Sequence, residues 1–96
     1  MTRGDDIPET GDFVTGWLMV MRARAVTQRW NDRYPKRQVP VEWAEEAARA
    51  WAVAEALGAT AAGLDAQRYM LEFTVKLPIE LIEMIWNGRD FPDELD

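Results

Sequence analysis

The chain contains no cysteine, no histidine and no serine. Without cysteine no disulfide can brace the fold, and no thiolate is available for zinc, redox exchange or nucleophilic attack. Without histidine the usual general base near neutral pH is missing. With serine absent as well, two of the three commonest nucleophiles are gone, so a serine or cysteine triad cannot be built. Long apolar runs are scarce. The longest, FVTGWLMVM, covers nine residues and stops at Arg22, whereas a membrane-spanning helix needs about twenty. The N-terminal MTRGDDIPETGD is acidic and polar, unlike a secretory signal. Its RGD tripeptide at residues 3–5 matches an adhesion motif, but a three-residue match carries little weight without other signs of secretion. These absences predict a cytoplasmic protein with no membrane span, no cofactor and no catalytic centre. They also lack any P-loop or Rossmann glycine pattern.

What is present is enough for one core. The 96 residues are 48% hydrophobic and include five tryptophans, which predicts a single domain near the small end of what folds alone. The net charge of −6 with a pI near 4.6 repels nucleic acid and anionic membrane at long range and favours basic surfaces. That charge is unevenly spread. The stretch RARAVTQRWNDRYPKR, residues 22–37, holds six of the eleven bases and one acid, a local +5 that leaves the other eighty residues at −11. Nine arginines against two lysines, with abundant alanine, suggest a GC-rich bacterial or phage source.

The apolar spacing predicts an all-α fold, a small bundle of three to four helices. Residues 1–11 read as a flexible leader, 12–89 as one helical domain and 90–96 as an acidic tail. Helix 1 is expected from about Phe13 to Arg33, capped by Thr10 or Asp12. Its two apolar stripes, Phe13, Trp17, Val20 and Met21 with Met19, Ala23, Val26 and Trp30, predict burial on most sides of its first half. Asn31–Pro35 ends it, because the residue before proline avoids the helical region. Helix 2 is expected over Val41–Leu57, with Trp43, Ala47, Ala50, Trp51, Ala54 and Leu57 on one face and Gly58 as C-cap. A third helix, capped by Asp65, follows the connector ATAAGL. The alternation Tyr69, Leu71, Phe73, Val75, Leu77 leaves a lone strand over 69–77 as its alternative. Pro78 opens helix 4, IELIEMIWNG, which is apolar nearly all round. It is expected to lie buried in the fold or to form half of a homodimer interface.

Three constellations carry candidate functions. In the basic stretch, Arg22, Arg29, Arg33, Lys36 and Arg37 with Trp30 and Tyr34 have the ingredients of a nucleic-acid surface. Against that, bases near a helix C-terminus suit its dipole and can pair with Glu42, Glu45 and Glu46 across the turn. The surrounding −11 also opposes a phosphate backbone. Second, Glu42 with Glu45 and Glu80 with Glu83 are i, i+3 carboxylate pairs, as a helical metal-dependent hydrolase would need. The spacing departs from that of the all-helical nucleotide pyrophosphohydrolases, whose second pair is ExxD, so no metal site is assigned. Third, Glu42, Glu45, Glu46 and Glu55 on helix 2, with Asp90, Phe91, Asp93, Glu94 and Asp96 in the tail, predict an acidic protein-binding surface. The expected function is therefore an inhibitor or adaptor that occupies a basic surface of a nucleic-acid-handling protein. Small phage or mobile-element anti-defence proteins act this way as a class. A nucleic-acid binder and a metal-dependent hydrolase are the alternatives.

Overall fold

Four helices in the order α1 (Arg3–Arg33), α2 (Val41–Leu57), α3 (Ala61–Thr74) and α4 (Ile79–Asn87) make up the regular structure. The computed structural model describes residues 3–92, with side chains from residue 16 onward. Among the described residues there is no strand. The alternating segment 69–77 is instead helical through Thr74 and then closes in a tight turn. The backbone explains the choice. A lone strand leaves its N–H and C=O groups unpaired, whereas Val75, Lys76 and Leu77 donate to the carbonyls of Leu71, Phe73 and Thr74 at 3.0–3.1 Å.

The predicted bounds of α2, the end of α1 and the start of α4 agree with the structure. Two starts differ. The backbone of α1 is helical from Arg3, ahead of the expected start at Phe13. α3 starts at Ala61, and its cap is Thr60 rather than Asp65: the Thr60 hydroxyl accepts the Gly63 N–H at 3.0 Å. The α2–α3 turn is correspondingly tight. Gly58 takes a positive φ of 61°, and a Cβ on Gly63 would strike the Gly58 carbonyl oxygen. No residue but glycine fits at either position without strain.

The core lies between α1, α2 and α4. α1 contributes Val20, Ala23, Val26, Thr27 and Trp30; α2 contributes Ala44, Ala47 and Ala48; Leu77, Leu81, Met84 and Ile85 close it. α1 and α2 run antiparallel, since Gly16 lies against Ala52 while Arg24 pairs with Glu45. Alanines, not tryptophans, face α1, which lets the helices approach closely. Trp43 and Trp51 sit half-buried at the flanks, and Leu57, expected on the buried face, is exposed. Phe13 lies outside the described side chains; among the described ones, α1 is less covered than its stripes predict, with Trp17 51% exposed and Leu18 and Met21 exposed beside it. α4 and the C-terminal segment pack near the other end of α1, where Arg22 meets Met84 and Tyr34 meets Pro92. The molecule is accordingly long, 54 × 25 × 18 Å with a radius of gyration of 15.0 Å, against about 12.5 Å for a compact chain of this length.

One core residue is mismatched to its site. Thr27 is fully buried in α1, and its hydroxyl has no hydrogen-bond partner among the described residues. Burying an unpaired hydroxyl costs about 1–3 kcal/mol, and valine has nearly the same shape. Thr27→Val is therefore expected to stabilise the fold by about 1 kcal/mol and raise the melting temperature by roughly 4–8 °C. A lower melting temperature on thermal denaturation would show that the hydroxyl has a partner after all.

Candidate functional site

The aromatic residues of the basic stretch face inward. Trp30 is 0% exposed, and its Nε1–H donates to the Arg37 carbonyl at 2.8 Å. Tyr34 stands edge-on to it, ring centroids 4.7 Å apart, and donates its hydroxyl to the Pro92 carbonyl at 2.7 Å. Asn31 spans the loop as well: its amide donates to the Val39 carbonyl at 2.8 Å and its oxygen accepts the Val39 N–H at 2.7 Å. The segment between Trp30 and Val39 is therefore a structural corner that turns α1 into α2 and holds residue 92 against it. Neither of these two rings is available to stack on a base.

The cations of the stretch divide. Arg22, Arg29 and Arg33 recur at i, i+7 and i+11 along one face of α1, while Lys36 and Arg37 are exposed in the loop. Arg22 donates to the Met84 carbonyl at 3.3 Å, near the C-terminal end of α4. The Arg33 guanidinium lies 5.6 Å from the Tyr34 ring centre and 5.5 Å from that of Phe91. The expected pairing with Glu42, Glu45 and Glu46 is realised, among the described residues, at Glu45 with Arg24.

The acidic residues do not form one continuous face. Glu42 and Glu55 are exposed near opposite ends of α2, about 20 Å apart along the axis. Glu45 is held by Arg24, and Glu46 pairs with Arg49 at 3.6 Å. Asp90 is exposed. Phe91 is half-buried, its ring 6.1 Å from that of Tyr34, so it is docked on its own protein. Asp93, Glu94 and Asp96 lie outside the described residues. In the second carboxylate pair Glu80 is exposed and Glu83 is bound to Arg89 at 3.3 Å. Among the described residues no three carboxylates converge to hold a metal ion, and no helix is long and apolar enough to cross a membrane.

A different surface emerges where α1 and α2 touch. A Cβ built on Gly16 would overlap the Cβ of Ala52, so the two helices are in backbone contact there. Beside the contact they leave an open cleft of about 450 Å³, walled mainly by Trp17, Val20, Val53, Ala56 and Leu57, with Arg49 at its edge. Leu18 and Met21 extend the apolar surface beyond it. Among the residues that line it, Arg49 alone carries a charge. A sequence signal for it existed. Gly16 next to Trp17 pairs a point of close approach with a large ring left standing beside it, against the small residues Ala52 and Ala56 on α2. No protein-family model, curated protein or solved structure matches the chain.

Proposed function

We propose that the protein is a small acidic binding module, an inhibitor or adaptor that covers a basic and partly apolar surface of a nucleic-acid-handling protein. The observation that carries this reading is the apolar cleft between α1 and α2, open among the described residues, in a molecule of net charge −6. Exposed contiguous apolar surface on a small protein marks an interaction site, and tryptophan, here Trp17 in the wall, is enriched among energetic anchors. Of the residues lining the cleft only Arg49 is charged, and it pairs with Glu46 at 3.6 Å; the preference for a basic partner comes from the net charge of −6 of the whole chain. The occupant that fits is an amphipathic segment with an apolar face and basic flanks, laid along the cleft. The acids then contribute mainly to association rate and partner choice, and the apolar anchor to residence time.

Trp17→Glu tests this. Trp17 is half exposed, so the substitution should leave the circular-dichroism melt nearly unchanged. Affinity for a basic partner isolated with the wild-type chain should fall at least tenfold, as for an anchor residue worth about 1.4 kcal/mol or more. Association should also slow as salt rises. Isolation of nucleic acid alone, or binding indifferent to Trp17, would overturn the reading. So would a wild-type homodimer, seen by sedimentation at two concentrations, that Trp17→Glu dissolves, since a second copy would then cover the cleft.

A further inference from the structure

We propose that a separate notch, between α1 and the end of α4, binds the dianionic phosphate group of a small molecule. The notch has a volume of about 290 Å³ and lies away from the apolar cleft. That volume is at the lower edge of ligand sites in general, which limits the occupant to a small compound. Its charged lining is Arg22 and Arg29 from α1 with Arg89 and Asp90 from the C-terminal segment, and Phe91 forms one wall.

The fold assembles these groups through one turn. Gly88 ends α4 in the left-handed region, φ 69°, and the chain reverses so that residues 89–91 come alongside α1. Only a residue without a Cβ makes this turn easily, and a Cβ there would also sit 3.1 Å from an Arg22 amine. Two of the three guanidinium groups are held in place. Arg22 uses one N–H on the Met84 carbonyl, and Arg89 uses its Nε on Glu83 at 3.3 Å. Each keeps further donors, since a guanidinium carries five. Arg29 has no ion-pair or hydrogen-bond partner among the described residues and is exposed. Three forked cations around one concavity match the terminal oxygens of a phosphate monoester, each able to give charge-assisted bonds. Asp90, on the same rim, opposes an anion and sets an upper limit to how tightly one is held.

The expected affinity is modest and salt-sensitive, because the site is open. The test is a titration of the full chain with adenosine monophosphate and with inorganic phosphate at low ionic strength, followed by the Nε–Hε signals of the arginines in a 1H–15N spectrum. Saturable shifts confined to Arg22, Arg29 and Arg89 are expected. Arg29→Ala should weaken binding about tenfold, the loss of one charge-assisted contact, without moving the melting temperature. Asp90→Asn should strengthen it several-fold. Tighter binding of the nucleotide than of phosphate would place the base against Phe91; equal binding would restrict recognition to the phosphate group. Absence of saturation up to about 10 mM, a regime weaker than about 3 kcal/mol of binding, overturns the site. Shifts that Arg29→Ala and Asp90→Asn leave unchanged would do the same.

Discussion

Trp30→Ala is expected to lose about 4 kcal/mol of stability and to lower the melting temperature by roughly 15–30 °C. Three separate interactions converge on this ring. It is completely buried among Val26, Val39, Ala44 and their neighbours, so truncation leaves a cavity that only partly collapses. It is the edge-to-face partner of Tyr34, a contact worth about 0.5–1.5 kcal/mol beyond the area it buries. Its Nε1–H also satisfies the Arg37 carbonyl in the loop between α1 and α2, which truncation leaves without that donor. Domains of this size are stable by only about 5–14 kcal/mol, so the substitution removes a large fraction of the whole. Trp30→Phe separates the parts. It keeps most of the packing and drops the N–H, and should cost about half as much or less. A base-stacking role for Trp30 would show the reverse pattern, with weakened nucleic-acid binding and an unchanged melt. A wild-type melt for Trp30→Ala would thus restore the nucleic-acid reading of residues 22–37.

Much of the architecture was legible in the sequence because helices are encoded locally. Val41–Leu57 is bounded by Pro40 and Gly58, and Ile79–Asn87 by Pro78 and Gly88, residues whose backbone preferences act within one or two positions. The start of α3 was harder to place, since Thr60 and Asp65 are both competent caps and only the packing of Gly63 on Gly58 separates them. What could not be read was which side of each helix finds a neighbour. Periodicity places Trp17, Val20 and Met21 on one broad stripe, yet Val20 is buried and the other two are exposed. The difference depends on which side of α1 meets α2, and that is a property of the whole chain. The same holds for the sites. The acids of α2 read in sequence as one protein-binding surface, but Glu45 and Glu46 lie within reach of Arg24 and Arg49 and are paired. Arg89 escaped attention because it is distant in sequence from the basic stretch, and the turn at Gly88 brings it beside Arg22 and Arg29.

The contact between Gly16 and Ala52 joins stability to the proposed binding surface, and it gives the second large effect. Alanine is better than glycine in a helix by about 1 kcal/mol, so at a free position Gly16→Ala would stabilise α1. Here the added methyl has nowhere to go. It would overlap the Ala52 Cβ, and the Ala52 Cα lies 3.3 Å away, so the helices must separate or slide. Overpacking of this kind costs about 1–3 kcal/mol, and larger side chains should cost more. The expected net result for Gly16→Ala is therefore a loss of about 1–2 kcal/mol despite the better helix former. Ala52→Gly returns the space from the opposite side. On its own it should destabilise α2 by about 1 kcal/mol, yet in the Gly16→Ala background it should recover stability, giving a coupling of about 1–2 kcal/mol in a double-mutant cycle. Denaturant titration of the four proteins measures that coupling, and strict additivity would mean that the two backbones do not meet. Because Gly16 and Ala52 also line the cleft, the same cycle has a binding counterpart. Separating the helices widens the groove around Trp17, so Gly16→Ala should weaken the partner and the rescued double variant should regain it. Affinity that follows the cycle would tie binding to the helix spacing at this point, whereas affinity that ignores it would put the contact surface elsewhere on the molecule.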